Sequence, residues 1–344
     1  MSRNQLLSRI IICSLFIVLL FVSCATSKSV DTETVAAPGD RSAEVYTREG
    51  EEGKLTVRFI DIVAYENGLR KKTGDCILLV SPEGKTMLID TSTPTGGPIL
   101  LRILDEMGIT HLDYLVITHT HADHTGGASN VLAHIKVDKI LMNFDTSDEF
   151  GGTYLGKMLD EAYVHIVPIE RICEGYEFNF GEYIKVNVYN PPDGYDYLAD
   201  PQGVEVRNNS SLLLRMVYGN SSFLFCGDMY AGAESAALKR YPEGFFETDI
   251  VKMNHHGYDS SNTLDWVKAV KAKAAIATNT HGPDSAKEIR YRAYGALTFW
   301  QYADGTIRVS TSGDGKYEII TQHDRNIATL KMTTNEDGHY YIGD

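Results

Sequence analysis

Cysteine is scarce, at 5 of 344 residues, and the shortage excludes a disulfide-stapled scaffold. Cys13 falls inside an amino-terminal apolar run and Cys24 closes it, leaving Cys76, Cys173 and Cys226 for the body. That odd remainder sits in settings such as "DCILLV" and "FLFCGD", which suit small buried hydrophobes. No long Lys/Arg run offsets the 46 acidic residues, and 32 basic ones leave a formal charge of -14. Such a surface argues against passive binding of nucleic acid or anionic headgroups through a basic face. A phosphate-bearing substrate would need a local cation to recruit it. No G-x-S-x-G and no cysteine beside a histidine occurs, which removes the common serine and cysteine nucleophile arrangements. The sequence also lacks a multi-helix membrane segment and a solenoid-period repeat, which excludes a multi-helix channel and a repeat array.

What is present is ordinary in bulk: 43% hydrophobic and 23% charged residues, enough for a real core. The length fits one large catalytic domain with appendages. Arg3 and Arg9 precede an apolar run from Ile10 to Val22, short for a spanning helix and suited to a secretory signal core. Its ending, "LFVSCATS", resembles a bacterial lipoprotein signal, with Val22 and Ser23 before a cysteine, Cys24, that would be lipidated. Phe21 stands where leucine is commoner. The resemblance implies an exported lipoprotein, anchored by lipid to a membrane at the cell surface or in the periplasm. Residues 1–23 are then the signal peptide. Residues 24–53, polar with few large apolar residues, read as a flexible tether, because such a segment buries too little surface to offset its ordering entropy.

Residues 54–322 form the expected catalytic domain, and 323–344 a tail. The runs "LTVRFID", "CILLV", "TMLID", "DYLVIT" and "KILMN" predict strands, with helices at Pro98 to Met107 and Gly127 to His134. Strands recur in "YIKVNVYN", "SLLLRMVYG", "SSFLFCGD", "DIVKMN" and "AAIATN", with helices near Ala231 to Arg240 and Thr263 to Val270. Two sheets face to face with helices outside account for the repetition. Asp90, His119, Asp228 and His255 each follow a strand, and residues just past strand ends converge at one sheet edge in α/β folds.

The densest chemistry is "LVITHTHADHTGG", Leu115 to Gly127. In a loop leaving a strand, His119 and His121 can point to one ion while Asp123 and His124 turn to a second. Two adjacent cations need a shared anionic ligand, and Asp228 is the candidate. One of His255 and His256, in "NHHGYDSSN", can complete the second ion's shell while the other acts on substrate. The sequence leaves that choice open; the working assignment gives His255 to the metal and His256 to catalysis. Imidazole and carboxylate donors suit two divalent ions, zinc first, with manganese or iron as alternatives. His134, in an expected helix, and His165, in an expected strand, read as structural.

Taken in order, "THTHADHTGG", "FLFCGD" and "NHHG" resemble the metallo-β-lactamase superfamily. The resemblance implies an α/β fold, an αββα sandwich of two mixed sheets with outer helices and a binuclear metal edge. "GDCILLV", "LIDTS" and "NNSSLLLRMVYGNSSFLFCGDM" are further similar to the hydrolase domain of ComEC competence proteins and to bacterial phosphorylcholine esterases, over roughly Lys54 to Asn279. Two departures stand out. Where many members carry a third histidine for the first ion, this chain reads "RNNSS", so Asn208 and Asn209 become candidate substrate contacts, together with His281. The segment "AYENGLRKKT", Ala64 to Thr73, enlarges a loop and could bring Arg70, Lys71 and Lys72 near the metals.

The implied chemistry is hydrolysis by an activated water that Asp123 or Asp228 orients. A small phosphodiester is the preferred substrate, since two cations would recruit phosphate to an acidic protein. Alternatives are a ComEC-like nuclease, with nucleic acid solely as substrate, a lactone or β-lactam hydrolase, and a non-catalytic surface lipoprotein. An aromatic wall for the substrate's far end could come from tyrosine, Trp266 or Trp300.

Overall fold

The computed structural model of the protein describes residues 39–66, 69–70, 74–143, 153–195, 204–278, 285–324 and 337–343. Cys24, His281, Lys71 and Lys72 lie outside the described residues. Among the described residues a nine-stranded sheet runs edge to edge through Ile169–Arg171, Ile140–Met142, Tyr114–Val116, Thr86–Ile89, Ile77–Val80, Leu55–Phe59, Ile307–Thr311, Tyr317–Thr321 and Tyr340–Ile342. A seven-stranded sheet runs through Glu177–Phe180, Ile184–Val188, Leu214–Tyr218, Ser221–Phe225, Ile250–Lys252, Ala274–Ala277 and Leu297–Trp300. Both are mixed, as expected: Thr86–Ile89 pairs parallel with Tyr114–Val116 and antiparallel with Ile77–Val80.

The apolar pattern of the strands explains the layering. Side chains alternate faces along a strand, so Ile77, Leu79, Met87 and Ile89 enter one core while Leu78 and Leu88 enter another. The first core lies between the sheets, where Val186, Leu214, Phe223, Phe225 and Ile276 meet the first sheet's inner residues. The other face of each sheet is covered by helices, which is why the central strands are apolar in unbroken runs. Helix Gly97–Glu106 shows how one covers it. Pro98 suits its first turn, Leu100, Ile103 and Leu104 form a buried stripe, and Gly108 at φ +69° follows its end. On the second sheet, Trp266, Val267 and Val270 of Leu264–Val270 do the same, and Thr263 caps that helix by accepting the Trp266 N–H at 3.3 Å. Trp266 is therefore core and cannot be a substrate wall. No helix among the described residues is long and apolar enough to cross a membrane.

Several expectations need correcting. Residues 39–53 do not behave as tether. Helix Ser42–Tyr46 buries Val45, and the buried Arg58 pairs with Glu51 and donates to the Val45 carbonyl at 2.6 Å. A polar stretch can fold when its few apolar and charged groups find partners in the body. The tail contributes strand Tyr340–Ile342 to the first sheet. His165 stands at the end of helix Tyr154–Val164, not in a strand. Arg70 is no loose cation, since it pairs with the buried Asp61, donates to the Tyr302 carbonyl and lies over the Tyr302 ring. Cys76 and Cys226 are buried as expected, and Cys173 is half-buried with its thiol toward Asp193 at 3.8 Å.

Candidate metal centre

Strand Tyr114–Val116 leads through Ile117 and Thr118 into the histidine stretch, and the Asp90 carboxylate organises the start of that loop. Asp90 accepts the Thr118 N–H at 2.8 Å and the Thr118 hydroxyl at 2.6 Å, and takes His124 Nδ1 at 2.7 Å. Its backbone is left-handed, φ +59°. The one-turn helix Ala122–Thr125 then sets Asp123 and His124 on the side of the loop that faces the second sheet. Asp228, three residues past the end of Ser221–Phe225, is held by its N–H donating to Ser211 Oγ at 2.9 Å.

The side chains gather as two groups around one oxygen. In the first, His119 Nε2 lies 3.0 Å from His121 Nδ1 and 3.8 Å from Asp228 Oδ2. In the second, His124 Nε2 lies 3.1 Å from Asp228 Oδ2, and His256 Nε2 lies 3.2 Å from that oxygen and 3.3 Å from Asp123 Oδ2. Asp228 Oδ2 is common to both.

Of the histidine pair, His256 holds the inward position. It is buried, with Nδ1 2.9 Å from Asp75 Oδ1, while His255 is partly exposed, with Nδ1 2.5 Å from Ser260 Oγ and Nε2 3.9 Å from Asp228 Oδ2. Both have left-handed backbones, φ +45° for His255 and +54° for His256. Strain of this kind persists only where the surroundings impose it. The buried Glu234 ties down the residues on either side of the pair, accepting from Asn254 Nδ2 at 2.7 Å, the Asn262 N–H at 2.5 Å and the Thr263 N–H at 2.9 Å.

Three supporting residues escaped the reading of the sequence. Asp75 falls with His124, Asp228 and His256 in a set whose ligand-capable atoms all lie within 4.8 Å of one another. Both its oxygens are engaged, Oδ1 by His256 and Thr278 and Oδ2 by Lys252, so it acts from behind the cluster. Lys252 and Glu234 are the others. A lysine amid the apolar residues of "DIVKMN" was the available signal, since a charge in a buried strand needs a partner. Asn208 is 1% exposed, and both polar atoms of its side-chain amide lack a hydrogen-bond partner among the described residues. Asn209 Oδ1 accepts the Tyr230 N–H at 3.3 Å.

Electrostatics separate the two groups. Burial and the neighbouring His124 push His119 well down from its ordinary value, and the same causes lower His121, with Arg207 adding to them. Neutral imidazole is the form that binds metal. Burial would lower His124 too, but Asp228, Asp90 and Asp123 outweigh it and push His124 up to about 10. For His256, Asp228 and Asp75 likewise overcome burial and push it well up. Burial would raise Asp123 and Asp228, but His124 and His256 facing them hold both carboxyls well below the usual range.

The cluster therefore demands cations, and either protons or metal ions satisfy it. A histidine raised in the folded state stabilises the fold fully below its ordinary value and loses that contribution as pH climbs through the raised one. Chelator-treated protein is thus expected to melt at progressively lower temperature from neutrality to about pH 10. Zinc-loaded protein should hold its melting temperature better, so the gap widens with pH. Scanning fluorimetry reads this directly, and a constant gap would count against the cationic reading of His124.

The profile of the Metallo-beta-lactamase superfamily matches residues 70–281. ComE operon protein 3 of Bacillus subtilis (strain 168) is 29% identical over 185 residues, which is 53% of this chain and 22% of that protein. Competence protein ComA of Neisseria gonorrhoeae is 25% identical over 225 residues, 63% of this chain and 28% of that one. The chain spans 22% and 28% of the length of these curated relatives. Among solved structures, CmlA, a diiron β-hydroxylase from Streptomyces venezuelae, is 13% identical, covers 76% of this chain and 54% of its own, and gives a TM-score of 0.47.

Proposed function

Because the chain belongs to the metallo-β-lactamase superfamily, we propose that it is a metal-dependent hydrolase acting on a small phosphodiester. The observation that carries this is the placement of two imidazole and carboxylate groups around the single oxygen Asp228 Oδ2. The donor set fits two divalent ions, zinc first. His119 and His121 would hold one, Asp123, His124 and His256 the other, and Asp228 would be shared. When bound, the ions would activate water and polarise a phosphoryl oxygen.

The chain's own residues supply position and proton transfer. Asp90 and Asp75 hold His124 and His256 by their Nδ1 atoms, which fixes ring orientation. Asn208, three residues before the Ser211 that accepts the Asp228 N–H, offers a buried amide with no partner among the described residues, suited to a substrate oxygen. His255, held by Ser260 and flanked by the rings of Tyr230 at 4.8 Å and Tyr258 at 5.2 Å, stands at the rim, where it can donate a proton to a leaving oxygen. His255→Ala should then keep its metal and lose roughly 100-fold in kcat. Loss of metal in that variant would return His255 to the ligand set.

The test of the reading is turnover of bis(p-nitrophenyl) phosphate, abolished by chelator and by His121→Ala. The resemblance of "GDCILLV" and "NNSSLLLRMVYGNSSFLFCGDM" to the ComEC hydrolase domain implies a second reading, a nuclease. The formal charge of -14 weighs against it, since a polyanion must be held along a groove. Weak salt dependence of phosphodiester turnover supports the small substrate. Efficient, strongly salt-sensitive DNA cleavage would reverse the preference, and turnover of a β-lactam or lactone alone would defeat both.

A further inference from the structure

Lys252 stands behind the metal centre at the end of strand Ile250–Lys252, 1% exposed. Its ammonium donates to the Gly227 carbonyl at 2.7 Å and lies 2.5 Å from Asp75 Oδ2 and 3.3 Å from Asp228 Oδ1. By strand alternation it shares a face with Ile250, which belongs to the core between the sheets. An apolar side chain is what that face ordinarily carries. Replacing buried ion pairs by apolar residues of similar volume is often neutral or stabilising, so fold stability alone is a weak reason for a lysine here.

Its contacts indicate a different role. Asp75 leads into the first sheet and Asp228 leaves the second, and Lys252 takes one oxygen from each. Asp75 is left with Oδ1 for His256 Nδ1, and Asp228 with Oδ2 for His119, His124 and His256. One ammonium thus sets both the shared carboxylate and the carboxylate that holds His256.

We propose that Lys252 is a positioning residue that confines Asp228 to bridging through one oxygen and lends the centre a permanent positive charge. One ion is then held tightly, at Asp123, His124 and His256, and a second weakly, at His119 and His121. This rests on the metal-hydrolase reading above. The charges make the asymmetry concrete. Asp75, Asp90, Asp123 and Asp228 carry four negative charges and Lys252 one positive, so with neutral imidazoles one divalent ion leaves the centre at minus one and two leave it at plus one. Without the lysine, two ions bring it to zero. The side of His119 and His121 brings two imidazoles and the shared Asp228, while the other side has the Asp123 carboxylate as well, so the first has less to offset the added charge.

The full chain, stripped by chelator, is titrated with cobalt(II) while visible absorption is followed, and metal content is measured after dialysis. Wild type should retain one ion and take a second only in excess. Lys252→Met, close in volume and uncharged, should bind the second ion at least about tenfold more tightly. Its freed Asp228 Oδ1 should add an oxygen to the cobalt shell and weaken the visible band. Lys252→Arg, which keeps the charge, should retain wild-type stoichiometry. Should the methionine variant not fold, Lys252→Gln must show the same gain. Two equally tight ions in wild type, or unchanged second-ion affinity in the uncharged variants, overturns the proposal. A wild-type chain that binds no cobalt overturns the metal-hydrolase reading itself, and the two failures are told apart by that first titration.

Discussion

Replacing Asp228 by alanine is expected to remove bound metal and abolish measurable hydrolysis, the largest loss from any single side chain of the cluster. Its Oδ2 lies 3.1 Å from His124 Nε2, 3.2 Å from His256 Nε2 and 3.8 Å from His119 Nε2, so one truncation takes a ligand from both groups. Changing an outer hydrogen-bond partner of a metal ligand typically costs roughly 10- to 100-fold, and losing the shared ligand should exceed that. The metal-free fold should weaken as well, since Lys252, His124 and His256 all face this carboxylate. Removing one partner of a buried ionic set costs about 3–5 kcal/mol. Elemental analysis after dialysis and a thermal melt check the two halves separately. Wild-type metal content with full turnover would show that Asp228 does not bridge.

How far the site was legible depended on whether its determinants are local. His119, His121, Asp123 and His124 share one turn after a strand, so spacing alone placed them together. Asp228 was found because strand ends converge. The choice between His255 and His256 was not readable, because it turns on two left-handed residues held by Glu234, some 20 positions away, through Asn254. Asp75 and Lys252 were missed for a related reason. Their role exists once the two sheets meet, and neither carries a signature in its own segment beyond a charge beside apolar residues. The same limit explains residues 39–53, whose polarity hid a helix that is fixed by Arg58, a residue of the first strand.

Gly74→Ala is expected to disable the centre without replacing any ligand. Gly74 has φ +70°, and a Cβ built on it would lie 1.8 Å from the Asp123 carbonyl oxygen, 2.6 Å from its carbon and 2.7 Å from the Asp123 Cβ. Those atoms are mostly backbone, so no side-chain rotation relieves the contact. The approach is close because the next residue, Asp75, donates its N–H to that same carbonyl at 3.1 Å. An added methyl must push apart the segment bearing Asp75 and the loop bearing Asp123 and His124, and with them the grip of Asp75 on His256 and Lys252. The left-handed backbone alone costs an alanine about 1–2 kcal/mol, and forcing a methyl into close-packed surroundings about 1–3 kcal/mol more. Gly50→Ala separates the two costs, since Gly50 has φ +76° and nothing within 4 Å of an added Cβ. That control should lower the melting temperature slightly and keep its metal. Gly74→Ala should lose both stability and the tightly held ion, and equal behaviour of the two variants in melts and metal analysis would mean that the contact between Gly74 and Asp123 does not shape the site.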